Sequence, residues 1–82
     1  MIIINVEVPA LEHNYDVQID ENQPVFTVIS EIADLVCRMN QCELSGDKKD
    51  LLLWKADNGQ ILDRHRSAWE NGVRTGSVLI LA

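Results

Sequence analysis

Apolar and polar residues alternate along the first two segments of the chain. The first run puts four apolar residues on one face of an extended strand: Ile2, Ile4, Val6 and Val8. The second run does the same with Tyr15, Val17 and Ile19. A period of two is typical of strands with one buried face. Because Pro9 cannot donate to a ladder, the pattern predicts a strand, a loop over residues 10–14 and a second strand that pairs with the first.

The period changes after residue 24. Apolar residues then recur every three or four positions, in the order Val25, Val28, Ile29, Ile32, Leu35, Val36 and Met39. This spacing predicts a helix of about four turns with one apolar face. Pro24 suits the first helical turn, because its missing N–H is not needed there. Either Asn22 or Gln23 is predicted to cap the helix.

Short apolar segments separated by turn signals follow the helix. They predict, in chain order, a polar loop at 45–50, a strand at 51–54, a hairpin turn at 57–59, a short strand at 60–62 and a final strand at 77–81. Ser67 is predicted to cap a single helical turn that ends at Gly72. After Ser77 the final strand is a continuous apolar run, which indicates a central position or a strand covered on both sides.

The order β-β-α-β-β-short turn-β predicts a two-layer α+β domain. Its mixed sheet of four to five strands would pack on one long helix, since a hairpin cannot bury its apolar face alone. The first and last strands are the most apolar, so we expect them to be neighbours in the middle of the sheet. With 82 residues, the chain is predicted to be a single domain over 1–82.

The charge balance narrows the choice of partners. Acidic residues outnumber basic ones 13 to 7, which gives a formal net charge of −6. Nucleic acid and anionic membranes are therefore not expected as partners, because both require a basic face. The negative charge either maintains solubility or faces a basic partner. A signal peptide and a membrane span are absent from the sequence pattern, so a cytoplasmic location is expected.

The chain offers few residues for metal binding or catalysis. Cys37 and Cys42 could form a disulfide or half of a metal site, but two reduced thiols are expected. His13 and His65 lie far from them, without recognisable zinc-ligand spacing. A nucleophile–His–acid arrangement and a glycine-rich phosphate cradle are not found. We therefore expect no enzyme activity, no cofactor and no metal.

The last third of the chain carries a family likeness. Residues 59–63 (GQILD), 67–73 (SAWENGV) and 75–81 (TGSVLIL) resemble the closing pattern of ubiquitin-like proteins. That pattern has a short acidic turn, a one-turn helix that ends in Gly or Asn plus Ile or Val, and a final strand. The resemblance extends over nearly the whole chain and implies a ubiquitin-like β-grasp fold.

Within that superfamily the chain looks most like the EsaB/YukD group. Its members are small, free-standing bacterial proteins associated with type VII secretion, and similar domains occur fused to a membrane component of actinobacterial type VII systems. The likeness rests on the single-domain length, on the Pro24-Val25 pair that opens the helix and on an end at Leu81-Ala82.

The resemblance implies an accessory or regulatory protein-binding role. The partners would be membrane or ATPase components of the secretion apparatus. A small β-grasp subunit of a bacterial multicomponent enzyme complex, such as an oxygenase, is the alternative. Conjugation and sulfur transfer require a flexible tail that ends in Gly-Gly, whereas the last residues here are Leu81 and Ala82. Neither activity is therefore expected.

The binding surface is predicted from four consecutive apolar residues at 51–54. About half of them must point away from the helix. Leu52, Trp54 and Lys55 are therefore the candidate protein-binding residues, at the face or edge of the sheet, where a weak homodimer could also form. The alternative is that Trp54 packs in the core or covers the sheet edge. Trp69 is expected to be a partly buried plug.

Overall fold

A computed structural model of the chain describes residues 1–40 and 51–82. These residues contain a long helix and a sheet of four strands. The elements are β1 (Ile2–Val8), β2 (His13–Ile19), α1 (Val25–Asn40), β3 (Leu53–Lys55) and β4 (Val78–Leu81).

The two alternating segments form the predicted antiparallel hairpin. β1 and β2 together contribute five buried side chains to the core: Ile4, Val6, Val8, Val17 and Ile19. The predicted loop is shorter than expected, because Pro9–Leu11 form a single 3₁₀ turn and β2 begins at His13. Glu12 has a φ of 54°, and this left-handed residue lies between the turn and β2.

The first and last strands are neighbours in the middle of the sheet, as predicted. The strand order is β2-β1-β4-β3, and β1 runs parallel to β4. The outer pairs, β1 with β2 and β3 with β4, are antiparallel. Parallel neighbours require a crossover connection, and the chain between β1 and β4 includes α1.

The apolar stripe of α1 packs on one face of this sheet. Its buried residues belong to the same core as those of the strands: Val25, Val28, Ile29, Ile32, Ala33 and Val36. The prediction of a helix on a mixed sheet is confirmed. Met39 departs from the predicted stripe, since its side chain is 62% exposed. It lies in the last turn of α1, beyond the last core residue, Val36.

The start of α1 differs from the prediction. Pro24 immediately precedes the helix, and its carbonyl accepts hydrogen bonds from the N–H groups of Thr27 (3.0 Å) and Val28 (3.2 Å). Pro24 itself therefore occupies the cap position, so the assignment of a cap to Asn22 or Gln23 was wrong.

A distant segment satisfies the first donors of the helix. The N–H of Val25 donates to the carbonyl of Arg66 (2.9 Å), and the N–H of Phe26 donates to that of Arg64 (3.1 Å). The first N–H groups of any helix lack partners within the helix itself. Residues 64–66 thus replace a capping side chain, and they tie the helix to the last third of the chain.

The region around β3 is shifted from the predicted positions. The strand covers Leu53–Lys55 instead of 51–54, although Leu52 exchanges two backbone hydrogen bonds with Ala82 (2.8 and 3.1 Å). The strand predicted at 60–62 is reduced to an isolated bridge between Ile61 and Trp54.

The predicted turn after Ser67 is confirmed in its hydrogen bonds. Ser67 Oγ accepts from the N–H of Glu70 (3.1 Å), and Glu70 Oε1 accepts from the N–H of Ser67 (3.2 Å). This reciprocal pair is a capping box. At the other end, Gly72 has a φ of 83°, and the N–H of Val73 donates to the carbonyl of Ala68 (3.0 Å). Gly72 ends the turn as expected.

Two sequence predictions fall outside the described residues: the polar loop at 45–50 and the state of Cys42. Cys37 lies on α1, where its side chain is partly buried and forms no disulfide with a described residue. In the part of the chain that the structure describes, no helix has both the length and the apolar character needed to cross a bilayer.

Candidate protein-binding face

The pairing of β3 with β4 decides which residues point away from α1. Leu53 pairs with Leu81, and both side chains are buried in the core. Successive side chains of a strand point to opposite faces. Leu52 and Trp54 therefore lie on the side of the sheet away from α1, here called the outer face. Both side chains are partly buried.

Lys55 lies on the other side of the sheet. It pairs with Leu79, whose side chain is buried in the core. Its ammonium group lies beside Gly72, where an added Cβ would be 3.1 Å from Nζ. The structure thus brings Leu52 and Trp54 together on one face and separates Lys55 from them.

Three further apolar side chains extend this surface on both sides of Trp54. Ile80 is its partner on β4, and Ile61 is its bridge partner on the opposite side. Val78 is the next outward residue of β4. Neighbouring strands lie about 4.8 Å apart, so these side chains are adjacent. We define the outer apolar patch as Leu52, Trp54, Ile61, Val78 and Ile80.

The free edge of β3 is closed by the chain itself. The carbonyl of Leu53 accepts from the N–H of Leu62 (2.9 Å), and the N–H of Lys55 donates to the carbonyl of Gln60 (2.8 Å). The carbonyl of Lys55 accepts from the N–H of Gly59 (2.8 Å). A second chain would need these same groups to add a strand. These groups are already paired within the chain, so of the two predicted surfaces, the face and the edge, we develop the face.

Comparisons with known proteins identify the fold. No protein-family model and no curated protein matches the chain. Among solved structures, the EccD5 ubiquitin-like domain from Mycobacterium xenopi has a TM-score of 0.77 and 20% identity, covering 99% of this chain and 91% of that one. An Arabidopsis thaliana ubiquitin-like domain has a TM-score of 0.72 and 21% identity, covering 99% and 74%.

A third structure is the N-terminal ubiquitin-like domain of the 4931431F19Rik protein, with a TM-score of 0.73, 20% identity and coverage of 99% and 72%. The chain has the ubiquitin-like β-grasp fold. The fold class predicted from the sequence is thereby confirmed. Because the identities are near 20%, these structures show a shared fold and nothing more.

The outer face of this β-grasp sheet continues from the apolar patch onto β1 and β2, where it carries polar and acidic residues beside one exposed apolar residue, Ile3 (54% exposed). Glu7 is paired with Ile80 on β4, and Asn5 is paired with Val78. Farther out, Asp16 on β2 is paired with Asn5, whose Nδ2 donates to Asp16 Oδ1 (3.2 Å). The face therefore has an apolar half on β3 and β4, and a half on β1 and β2 that carries carboxylates together with the exposed Ile3.

Three residues of the outer apolar patch were not named as candidates from the sequence: Ile61, Val78 and Ile80. The signal for the last two was available, because alternation in the run at 77–81 must turn every second apolar residue outward. Ile61 was harder to assign, since its place beside Trp54 depends on the hairpin turn at 57–59 and on the register after it.

Trp69 lies on the surface and is not the plug that was expected. Its side chain is 49% exposed. The guanidinium of Arg74 stacks on the ring at 3.3 Å from its centroid and also donates to the backbone carbonyl of Trp69 (3.0 Å). A cation over an aromatic face is attracted by the ring quadrupole. One face of Trp69 is thus already occupied by the chain's own cation.

The two histidines lie in different places. The His13 ring contacts Tyr15 at 5.8 Å between centroids, and the His65 ring contacts Phe26 at 6.5 Å. Over residues 1–40 and 51–82, groups of three or more side chains able to hold a metal ion are not found.

Proposed function

We propose that this ubiquitin-like domain is a protein-binding module, an accessory or regulatory component of a type VII-like secretion system that performs no catalysis itself. The observation that carries the proposal is the outer apolar patch. Ile61 is 46% exposed and Val78 is 41% exposed, on either side of the partly buried Trp54 and Ile80. Contiguous exposed apolar surface marks interaction sites in monomeric proteins.

The patch has the composition of a binding hot spot. Trp54 lies at its centre and is bordered on the two neighbouring strands by Ile61 and Ile80. Tryptophan is enriched among the residues that dominate binding energy, particularly near the middle of an interface and inside a ring of less critical contacts. A partner would therefore place its own apolar residues against Trp54.

Two likenesses support the secretion assignment. The similar EccD5 domain comes from a type VII secretion component, and this chain covers nearly the whole of that domain. The sequence independently resembles the EsaB/YukD group. We accordingly propose a cytoplasmic location and partners among the membrane or ATPase components of such an apparatus.

Binding to purified components tests this assignment. The chain would be titrated by calorimetry with the cytosolic domains of the type VII ATPase and membrane component from its own organism. We expect saturable binding with a Kd on the order of micromolar, typical of small transient interfaces.

The alternative role, a small subunit of a multicomponent enzyme complex, is tested in the same experiment. Components of any multicomponent oxygenase encoded beside the gene would be titrated in parallel. Binding to an oxygenase component, together with no binding to either secretion component, would contradict the type VII assignment and favour the enzyme-subunit role.

A further inference from the structure

The charges on the outer face point to the chemistry of its partner. We propose that the outer face binds a protein segment in which apolar residues alternate with or adjoin Lys or Arg residues. The inference rests on the proposed function and specifies the partner of the same surface. It is carried by three observations: the charge distribution along the chain, the strand register and the positions of the chain's own cations.

The charge distribution is strongly uneven. Residues 1–37 contain no Lys or Arg, and the first basic residue is Arg38. The same segment contains seven acidic residues: Glu7, Glu12, Asp16, Asp20, Glu21, Glu31 and Asp34. Because β1 and β2 lie within this segment, half of the sheet is built from a stretch of chain without Lys or Arg.

The register places carboxylates beside the apolar patch. Glu7 is the direct neighbour of Ile80, which in turn neighbours Trp54. At about 4.8 Å per strand, the backbone of Glu7 lies about 10 Å from that of Trp54. Asp16 lies two strands from Val78. A partner residue over Trp54 thus places its near neighbours within reach of Glu7, and a segment that continues across the sheet reaches Asp16.

Three cations of the described residues have neighbours other than Glu7 and Asp16. Arg66 Nε lies 3.7 Å from Asp63 Oδ2, and Arg74 stacks on Trp69. Lys55 lies on the side of the sheet that faces α1. Among the described residues, Glu7 and Asp16 form no ion pair. Within residues 1–40 and 51–82, their negative charge is therefore available to a partner.

We expect the carboxylates of Glu7 and Asp16 to contribute mainly to partner selectivity and to the association rate. Exposed charge pairs contribute little affinity individually, whereas complementary charge accelerates encounter and like charge rejects wrong partners. An apolar segment with Glu or Asp at the flanking positions would meet Glu7 and Asp16 as like charges. Lys is well suited to the flanking positions of the partner segment, since its apolar stem can lie along the patch while its ammonium reaches a carboxylate.

A pair of matched synthetic peptides tests the sign of the charge. Both have 14 residues and the same Leu positions, with Lys at every remaining position in one and Glu in the other. Each is titrated into the ¹⁵N-labelled chain, and amide shifts are recorded at low and high salt. We expect the Leu–Lys peptide to shift the amides of Glu7, Asp16, Val78 and Ile80, and to bind about fivefold or more weakly at high salt.

A matched pair of variants separates local charge from net charge. Glu7→Lys and Glu31→Lys change the net charge equally, but Glu31 lies on α1. We expect Glu7→Lys to raise the Kd for the Leu–Lys peptide about tenfold. Glu31→Lys should change that Kd by less than about twofold. Circular dichroism verifies folding, and Glu7→Gln serves as the milder variant if Glu7→Lys unfolds.

The outcomes distinguish this inference from the proposed function. If the Leu–Glu peptide binds the patch as tightly as the Leu–Lys peptide, the charge inference is wrong while the binding face stands. If Glu31→Lys weakens binding as much as Glu7→Lys, the attraction is to net charge, which also contradicts the inference. If neither peptide shifts Val78 or Ile80, both the inference and the proposed face are contradicted. Self-association of the chain through this face, detected by sedimentation, would replace the basic partner with a second copy.

Discussion

Trp54 and Ile80 face each other across β3 and β4, on the side of the sheet away from α1. Three of their four immediate neighbours in sequence are buried on the other side: Leu53, Leu79 and Leu81. Each strand thus supplies both the core and an outward apolar surface. The core residues hold the sheet on α1, and the outward residues form part of the outer apolar patch.

Replacing Leu79 by Ala should strongly destabilise the domain. Its side chain is 1% exposed, and truncation of a buried Leu leaves a cavity that costs about 2–5 kcal/mol. The neighbouring Val78 is 41% exposed, so Val78→Ala should cost less than about 1 kcal/mol. Denaturant unfolding of both variants measures the two free energies.

A small domain can have as little as about 5 kcal/mol of total stability, so Leu79→Ala could unfold completely. Ile32→Val is then the informative core variant, with an expected cost of about 0.5–1.5 kcal/mol at a fully buried site. Equal costs for Val78→Ala and Leu79→Ala would show that the inward and outward faces are assigned incorrectly.

Asn71 should be important for the segment that caps α1. Its amide donates to the carbonyls of Asp63 (3.0 Å) and Ser67 (2.9 Å), and its Oδ1 accepts from the N–H of Asp63 (2.8 Å). At about 1 kcal/mol for each hydrogen bond, Asn71→Ala should cost about 2–3 kcal/mol in unfolding free energy. Asn58→Ala is the control, since Asn58 makes one exposed bond, to the N–H of Gln60 (2.9 Å), and should lose less than about 1 kcal/mol.

Asn71→Asp refines this test, because a carboxylate keeps the acceptor for Asp63 and loses both N–H donors. Its cost should therefore be closer to that of Asn71→Ala than to that of the wild type. If Asn71→Ala is no more destabilising than Asn58→Ala, the network around residues 63–71 does not support the helix start.

Glu21 should make stability depend on acid pH. A hydrogen bond from its own backbone N–H, and then one from the Met1 ammonium, hold the pKa of its carboxyl below the ordinary value of 4.5. The carboxylate lies 3.1 Å from that ammonium. Because the unfolded chain binds the proton more tightly, the contribution of Glu21 is fully present above about pH 4.5 and is lost as the pH falls through the lower folded pKa.

Unfolding curves of the wild type and Glu21→Gln between pH 7 and pH 2 check this sign. The difference in unfolding free energy should be constant near neutral pH and should shrink below about pH 4.5. Glu31→Gln reports the general effect of removing one exposed acid from the chain. A difference for Glu21→Gln that grows toward low pH would contradict the assignment.

The elements that sequence predicted well are those governed by local periodicity. Alternation placed β1 and β2, and the spacing of three and four placed the buried stripe of α1 as far as Val36. The start of α1 was predicted less well, because its donors are satisfied by the carbonyls of Arg64 and Arg66. These partners lie about forty residues farther along the chain, and local capping preferences carry no information about them.

The candidate site was predicted in part for a similar reason. Alternation required some of residues 51–54 to point outward, and Leu52 and Trp54 do so. Lys55 was grouped with them by proximity in sequence, although the next position of a strand must point the other way. The contribution of Ile61 depends on the pairing after the hairpin turn, which the pattern alone places only approximately.

The central claim is that partners bind through the outer apolar patch. Glutamate at Trp54 would bury an unpaired charge in the interface, so Trp54→Glu should abolish most binding. Val78→Glu provides a second variant at a more exposed position of the same patch. Trp69→Glu is the matched control, because it makes the same substitution at a surface tryptophan outside the patch.

The most direct measurement is the Kd of each variant for the secretion component that binds the wild type, with circular dichroism to verify the fold. We predict that Trp54→Glu and Val78→Glu remain folded and bind at least about tenfold more weakly, while Trp69→Glu binds within about twofold of the wild type. Normal binding by both folded patch variants, with a loss in Trp69→Glu, would contradict the account and move the interface to the surface around Trp69 and Arg74.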